Sequence, residues 1–308
     1  MKKRFLFTLV FTIIISSLFC GAFFELLSAG LRNAHKDFQG KLNYLIRGKE
    51  RYNVVFIGSS VVNNQINPIL FDSLENVNSY NAGTEGARIV ELEVFLKKFI
   101  NSHGAPKYLF ISLDETTLIT DHIWDFPRLF PYSSDNDIFR LYAYQREILL
   151  ARYFPSMALT FYDDSRKSLA LQSLAGNSKP FIPDYTKGYH PLAKKPLANM
   201  EGSSFEKYHF SADGIKALTN ICEFCKNKNS KLIFLIPPKL ITTELVGANS
   251  DSYSKIAEIA RTYNLPLIDL SHNKEFTDPN LFYDERHLIE PGANIYTRLI
   301  AEEFEKLH

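Results

Sequence analysis

An excess of charge of either sign is what this sequence most lacks: 35 basic and 34 acidic side chains leave a formal charge of +1 over 308 residues. No basic surplus is available to hold nucleic acid. Cysteine is also scarce, with three residues in all. Cys20 falls in an apolar N-terminal run, which leaves Cys222 and Cys225 in "NICEFCKNKNSK". A redox Cys-x-x-Cys sits at a helix N-terminus, where the dipole lowers the thiol pKa; this pair stands near the end of a helical pattern. A zinc site would need two further ligands, and none stands nearby, so no metal is expected. The pair reads as two thiols one turn apart on a helix, with a disulfide as the alternative in an oxidising compartment. Internal repeats and low-complexity tracts are missing too. A content of 45% hydrophobic and 22% charged residues is that of a globular chain.

Charge is absent altogether from residues 5–24, "FLFTLVFTIIISSLFCGAFF", which follow Lys2, Lys3 and Arg4. Twenty helical residues span roughly 30 Å, the thickness of a bilayer core. A cleaved signal peptide has a shorter apolar run and small residues at its cleavage site. Phe19, Phe23 and Phe24 fit that poorly, and Phe19 directly before Cys20 spoils a lipoprotein signal. The expectation is an uncleaved transmembrane anchor over residues 1–27. The basic cluster at 2–4 favours an inside N-terminus and an extracytoplasmic remainder, although Arg32, Lys36 and Lys41 follow the span closely. Beyond the span, 32 basic side chains face 34 acidic ones, so that part has no charge-driven partner.

Residues 28–52 form a charged amphipathic stretch, read as a stalk. Short apolar runs then recur at 53–58, 77–82, 107–113, 231–237 and 265–270, each bounded by Gly, Pro or polar residues. Such runs suit strands buried on both faces of a sheet. Helical spacing occupies 87–104, 211–229, 250–264 and 290–308, the second opening on the capping residues Ser211 and Asp213 and the last carrying Pro291 where a first-turn proline is tolerated. Strands alternating with helices predict an α/β domain over 53–308 with a five-stranded parallel sheet. Residues 115–210 break the alternation and are too long for a loop. They hold 17 aromatics in 96 residues and read as a mainly helical insertion over the active edge. Within it, 137–162 reads as helix up to Pro155, and 176–204 as irregular.

Ligands of parallel sheets bind beyond the carboxyl ends of the strands. The first strand ends there in Gly58-Ser59-Ser60. As a phosphate cradle this corner lacks the Lys-Ser/Thr of a P-loop and the glycines of a dinucleotide fingerprint. Near the other end of the chain, "LFYDERHLIEPGA" sets Asp284 two residues before His287, ahead of the last helix and again at the carboxyl edge. Serine is hardly ionised at neutral pH, so an imidazole must take its proton and a carboxylate must fix that imidazole. Ser60, His287 and Asp284 are therefore the candidate nucleophile, base and orienter. Gly83, in "SYNAGTEGA", leaves the second strand with a backbone N–H able to approach an oxyanion; a tight turn into the next helix accounts for the glycine equally well. His122, between two aspartates, and His190 and His209 weigh less.

Three motifs in this order, Gly58-Ser59-Ser60, Asn81-Ala82-Gly83-Thr84-Glu85-Gly86 and Asp284-Glu285-Arg286-His287, resemble those of the SGNH (GDSL-like) hydrolases. The resemblance spans about residues 53–307 and is interrupted by the insertion. It implies a three-layer flavodoxin-like fold, with Ser60 as nucleophile, His287 and Asp284 completing a triad, and the Ser60 and Gly83 amides as oxyanion hole. No cofactor is implied. Ser59 replaces the aspartate of the family's Gly-Asp-Ser, as in membrane-anchored members that act on cell-envelope polymers. Those relatives transfer D-alanyl groups or O-acetylate polysaccharides. The substrate implied is an acyl ester of an envelope polysaccharide, and the partners the membrane and a membrane-bound acyltransferase. One departure stands out. The family's third motif, Gly-x-Asn-Asp, supplies an oxyanion-donating asparagine, and "ISLDETT" offers Asp114 or Glu115 instead. An ionised carboxylate there would repel a developing oxyanion. Either it turns away, or it stays protonated, or Asn63 or Asn81 donates in its place.

Overall fold

The computed structural model describes residues 2–114, 116–120, 122–176, 186–193, 210–240 and 250–307. Glu115, His209 and most of the segment 176–204 therefore lie outside the described residues. The chain forms two compact units. One comprises the described residues of Met1–Tyr44 and His122–Phe181, the other those of Leu45–Asp121 and Ile182–His308.

The first unit opens on helix α1 (Lys2–Arg32). It is long and apolar enough to cross a membrane, with a mean hydropathy of 2.3 over its most apolar window. Residues 2–19 are exposed, and burial begins at Cys20. Helix α2 (Asp37–Arg47) follows. Asn43 fixes the turn between these helices, its amide donating to Leu31 O at 2.7 Å and Ala34 O at 2.8 Å. The second unit begins with strand β1 (Val54–Ile57), then α3 (Ser60–Gln65), α4 (Pro68–Glu75), β2 (Ser79–Asn81), α5 (Ile89–His103) and β3 (Tyr108–Ser112).

Returning to the first unit, a 3-10 turn (Phe126–Tyr132) leads to α6 (Asn136–Phe139), α7 (Ile148–Tyr153), α8 (Pro155–Ala158) and α9 (Asp164–Ala175). The single helix expected up to Pro155 is thus broken into pieces of four to six residues, joined by a 3-10 turn at Arg140–Ala143. Aromatic side chains lose rotamer freedom against a preceding helical turn. Here they pack on their neighbours: Phe139 on Tyr142 and Tyr153, with Arg152 above Phe139. α8 and α9 pack on the C-terminal half of α1, and α7 packs on α8. Phe24 stacks on Tyr162 at 5.3 Å between centroids, and Ser28 Oγ lies 3.0 Å from the Tyr162 hydroxyl.

The second unit is completed by α10 (Ala212–Asn227), β4 (Lys231–Ile236), α11 (Ser250–Thr262), β5 (Leu267–Asp269) and α12 (Glu290–Glu305). Its five strands form one parallel sheet in the order β2-β1-β3-β4-β5, the doubly wound, flavodoxin-like arrangement. β1 and β3 are buried throughout, which is why they read as unbroken apolar runs. On one face Val54, Phe56, Phe110, Ile233 and Leu235 pack with Phe71 of α4 and with Tyr296, Ile300 and Phe304 of α12. α5 and α10 pack against each other, and Cys222 and Cys225 are buried and unbonded on α10. Burial pushes both thiols up to about 12, so they remain protonated. Strand order reverses between β1 and β3, and a crevice at the carboxyl ends of the sheet is expected at that switch point.

Candidate active site

β1 ends at Ile57, and Gly58 and Ser59 turn the chain into α3, whose first residue is Ser60. Glycine is needed at 58 because a Cβ would stand 2.5 Å from Val62 Cγ2 and 3.2 Å from Ser112 Cβ on β3. Ser59 O accepts from Asn63 N at 3.2 Å, which starts the helix and sets Ser60 half-buried in its first turn. The N–H groups of that turn have no acceptor within the helix.

His287 reaches the same place from the loop before α12. Tyr283 N–H donates to His287 O at 2.7 Å, Ile289 N–H to Leu281 O at 2.9 Å, and Phe282 bridges Leu288 antiparallel. Inside this turn Asp284 Oδ1 accepts from the backbone N–H of Arg286 at 2.9 Å and of His287 at 2.8 Å. The imidazole folds back so that Nδ1 lies 3.0 Å from Asp284 Oδ1 and 2.9 Å from Oδ2. Its other nitrogen, Nε2, lies 2.8 Å from Ser60 Oγ. An ionised carboxylate can only accept, so Nδ1 carries the ring proton and Nε2 accepts from the serine hydroxyl. Burial works to raise the Asp284 pKa, but the hydrogen bond and charge of His287, with the two backbone donors, hold it below the ordinary carboxylate value.

Asp114 follows β3 across the switch point. Burial again pushes its carboxyl upward, yet Arg286, Lys239 and the hydroxyls of Thr116 and Thr117 outweigh this and hold it far below the usual range. Arg286 Nη2 donates to Asp114 Oδ2 and to Thr116 Oγ1, both at 2.9 Å. Thr116 and Thr117 hydroxyls donate to Asp114 Oδ1 at 2.8 and 2.9 Å. The carboxylate is ionised and neutralised in place. Arg286 occupies an unspecified position of Asp-x-x-His, so the motif gave no signal for it.

Gly83 packs on α3, where a Cβ would meet Asn63 N at 2.3 Å. Its N–H donates to Asn81 Oδ1 at 2.9 Å. The Asn81 amide donates to Val62 O and Ile66 O at 2.6 and 2.7 Å. Asn63 donates to Asn64 Oδ1 and Glu85 Oε1 at 2.9 and 3.0 Å. Both asparagines weighed as substitute donors are thus engaged in tying α3 to the β2 exit. Gln65 Nε2 continues the string to Arg286 O at 2.7 Å. Of the remaining histidines, His190 gives its backbone N–H to Asn63 O, while the His122 ring lies 5.6 Å from that of Trp124 in the other unit. A cavity of about 470 Å³ lined by Tyr108, Cys222, Lys231 and Leu265 opens beside the starts of β3 and β4, away from the Ser60 corner.

No family model and no curated protein matches the chain. Among solved structures it is similar to a GDSL-like lipase from Bacteroides thetaiotaomicron, at a TM-score of 0.41 and 12% identity over 83% of this chain and 88% of that one. It is also similar to a catalytic mutant of an acetylxylan esterase from Geobacillus stearothermophilus, at 0.42 and 10% identity over 83% and 95%. Likeness at this level carries no argument about chemistry, which rests on the chain's own atoms.

Proposed function

We propose that this chain is a membrane-anchored, extracytoplasmic serine esterase or acyltransferase that acts on acyl esters of a cell-envelope polysaccharide. One observation carries the catalytic part: a serine, an imidazole and a carboxylate joined in sequence by hydrogen bonds of 2.8 and 2.9 Å at a parallel sheet's carboxyl edge. The substrate class and the outward orientation rest on the motif resemblance and on the apolar, exposed run that follows Lys2, Lys3 and Arg4 in α1.

In the reaction Ser60 Oγ attacks the ester carbonyl carbon while its proton passes to His287 Nε2. Asp284 supports the imidazolium that results. Collapse of the tetrahedral intermediate expels the alcohol, which takes the proton from Nε2 and leaves Ser60 acylated. A water or a sugar hydroxyl then gives its proton to Nε2 and attacks the acyl carbon; collapse of this second intermediate breaks the bond to Ser60 Oγ, which takes the proton back from Nε2, completing hydrolysis or transfer. The Ser60 N–H, in the first turn of α3, is one donor to the oxyanion. Gly83 becomes the second by releasing Asn81. Asp114, with its charge matched by Arg286, is kept from opposing the oxyanion.

The engaged Gly83 N–H and the lost third-motif asparagine favour a second reading, a non-catalytic polysaccharide-binding or accessory protein of a membrane acyltransferase. Incubation of the full chain in detergent with a fluorophosphonate probe separates the two. Labelling that Ser60→Ala and His287→Ala both abolish is the expected result. Folded protein that takes no label supports the accessory reading.

A further inference from the structure

Residues 5–19 are the uncharged part of α1 that no other described segment of its unit covers. At about 1.5 Å per residue they reach roughly 22 Å, short of a bilayer core of about 30 Å. The remaining length must come from residues 20–24, and the first charge beyond them is Glu25. Yet at this level α1 is already packed: Phe24 is 1% exposed, between Phe130 and Tyr162. Pro155 Cγ, at the start of α8, lies 3.5 Å from where a Cβ on Gly21 would stand. The corner between α7 and α8 is therefore at the depth where the acyl chains should end. That corner carries Tyr153, Phe154 and Met157, which are 60%, 56% and 55% exposed. Arg152 lies beside them, its guanidinium 4.3 Å from the Phe139 ring and 5.9 Å from that of Tyr153.

From this we infer that the α7–α8 corner is seated in the membrane interface, with Phe154 and Met157 in the acyl boundary and Tyr153 and Arg152 at headgroup level. The inference rests on α1 being a membrane-spanning anchor. The occupant is the lipid surface because the corner meets α1 at Gly21, directly beyond the exposed apolar run that is long enough with its neighbours to cross a membrane. Aromatic rings with a neighbouring cation match the headgroup boundary, and partial immersion of apolar side chains is the binding mode of interfacial segments. The arrangement removes a mismatch that would otherwise thin the bilayer around α1.

The test is tryptophan fluorescence of the full chain in phosphatidylcholine vesicles, with and without acyl-chain bromination. Trp124 is the chain's single tryptophan, so Trp124→Phe supplies a silent background. Phe11→Trp in that background reports on the anchor and Phe154→Trp on the patch. The expected result is a blue-shifted emission at both positions, with most of the intensity lost in brominated lipid. Quenching at 11 without quenching at 154 overturns the inference and leaves the anchor standing. That holds whether the emission at 154 is red-shifted, as in water, or blue-shifted, as beneath a second copy of the chain. No quenching at either position removes the anchor and the inference with it.

Discussion

Asp284 accepts from three N–H groups: two of the backbone that shape its own turn, and the Nδ1–H of the imidazole it orients, shared between its two oxygens. Shape and charge separate on substitution. In Asp284→Asn the amide oxygen still receives the backbone donors, so the turn and the fold persist. The Nδ1–H then loses its anionic acceptor, and the rate of fluorophosphonate labelling should fall by about 10²–10⁴-fold, as in triads that lose this charge. Asp114 is the opposite case, a carboxylate whose neighbours matter to stability. Asp114→Asn leaves Arg286 beside a neutral amide and should cost about 2–4 kcal/mol at pH 7, at the lower side of what breaking a buried pair costs because Arg286 keeps some access to water. The folded carboxyl titrates below its unfolded value, so its contribution is complete above about pH 4 and lost as pH falls through the folded pKa. Urea midpoints of wild type and variant should accordingly keep their full separation from pH 7 down to about pH 4 and begin to converge only below it. Arg286 itself could not be read from sequence. Asp-x-x-His constrains the first and last positions, and the partner that gives its third residue a role is 172 positions away.

The five strands were legible because both faces of the sheet are covered, which writes each strand as a continuous apolar run. All five expected runs contain a strand. The helices α3 and α4 were not legible. "SSVVNNQINP" has no apolar stripe because Asn63, Asn64 and Gln65 are buried by hydrogen bonding to other loops rather than by packing. The broken helix of 137–162 misled for the reverse reason: its apolar residues keep helical spacing while its aromatics find partners that a continuous helix would deny them. At this scale the contact between β2's exit and α3 can be tested. Gly83→Ala places a methyl group 2.3 Å from Asn63 N, on backbone that cannot move alone. The variant should lose about 1–3 kcal/mol, the usual cost of overpacking, and should label poorly even where it is folded. If thermal melting and labelling are both unchanged, Gly83 belongs neither to the packing of this corner nor to its chemistry.

Across the whole molecule the thiols offer a measure of integrity. Cys222 and Cys225 lie inside the sheet's helical cover, with pKa values near 12. In the native chain at pH 8 neither should react with a maleimide over minutes, and both should react once urea opens the domain. Prompt reaction of Cys225 without denaturant would show that α10 detaches locally, since Cys222 alone borders the cavity beside β3 and β4. The anchor reading and the seat of the α7–α8 corner belong to this scale as well, since both concern how one unit meets its surroundings.

Ser60 and His287 are separated by 227 positions. During synthesis at roughly 5–20 residues per second, the hydroxyl exists for about 10–45 s before the imidazole that would activate it has been made. Any reactivity of Ser60 that depends on His287 can therefore arise only when all but the last helix of the chain has been made.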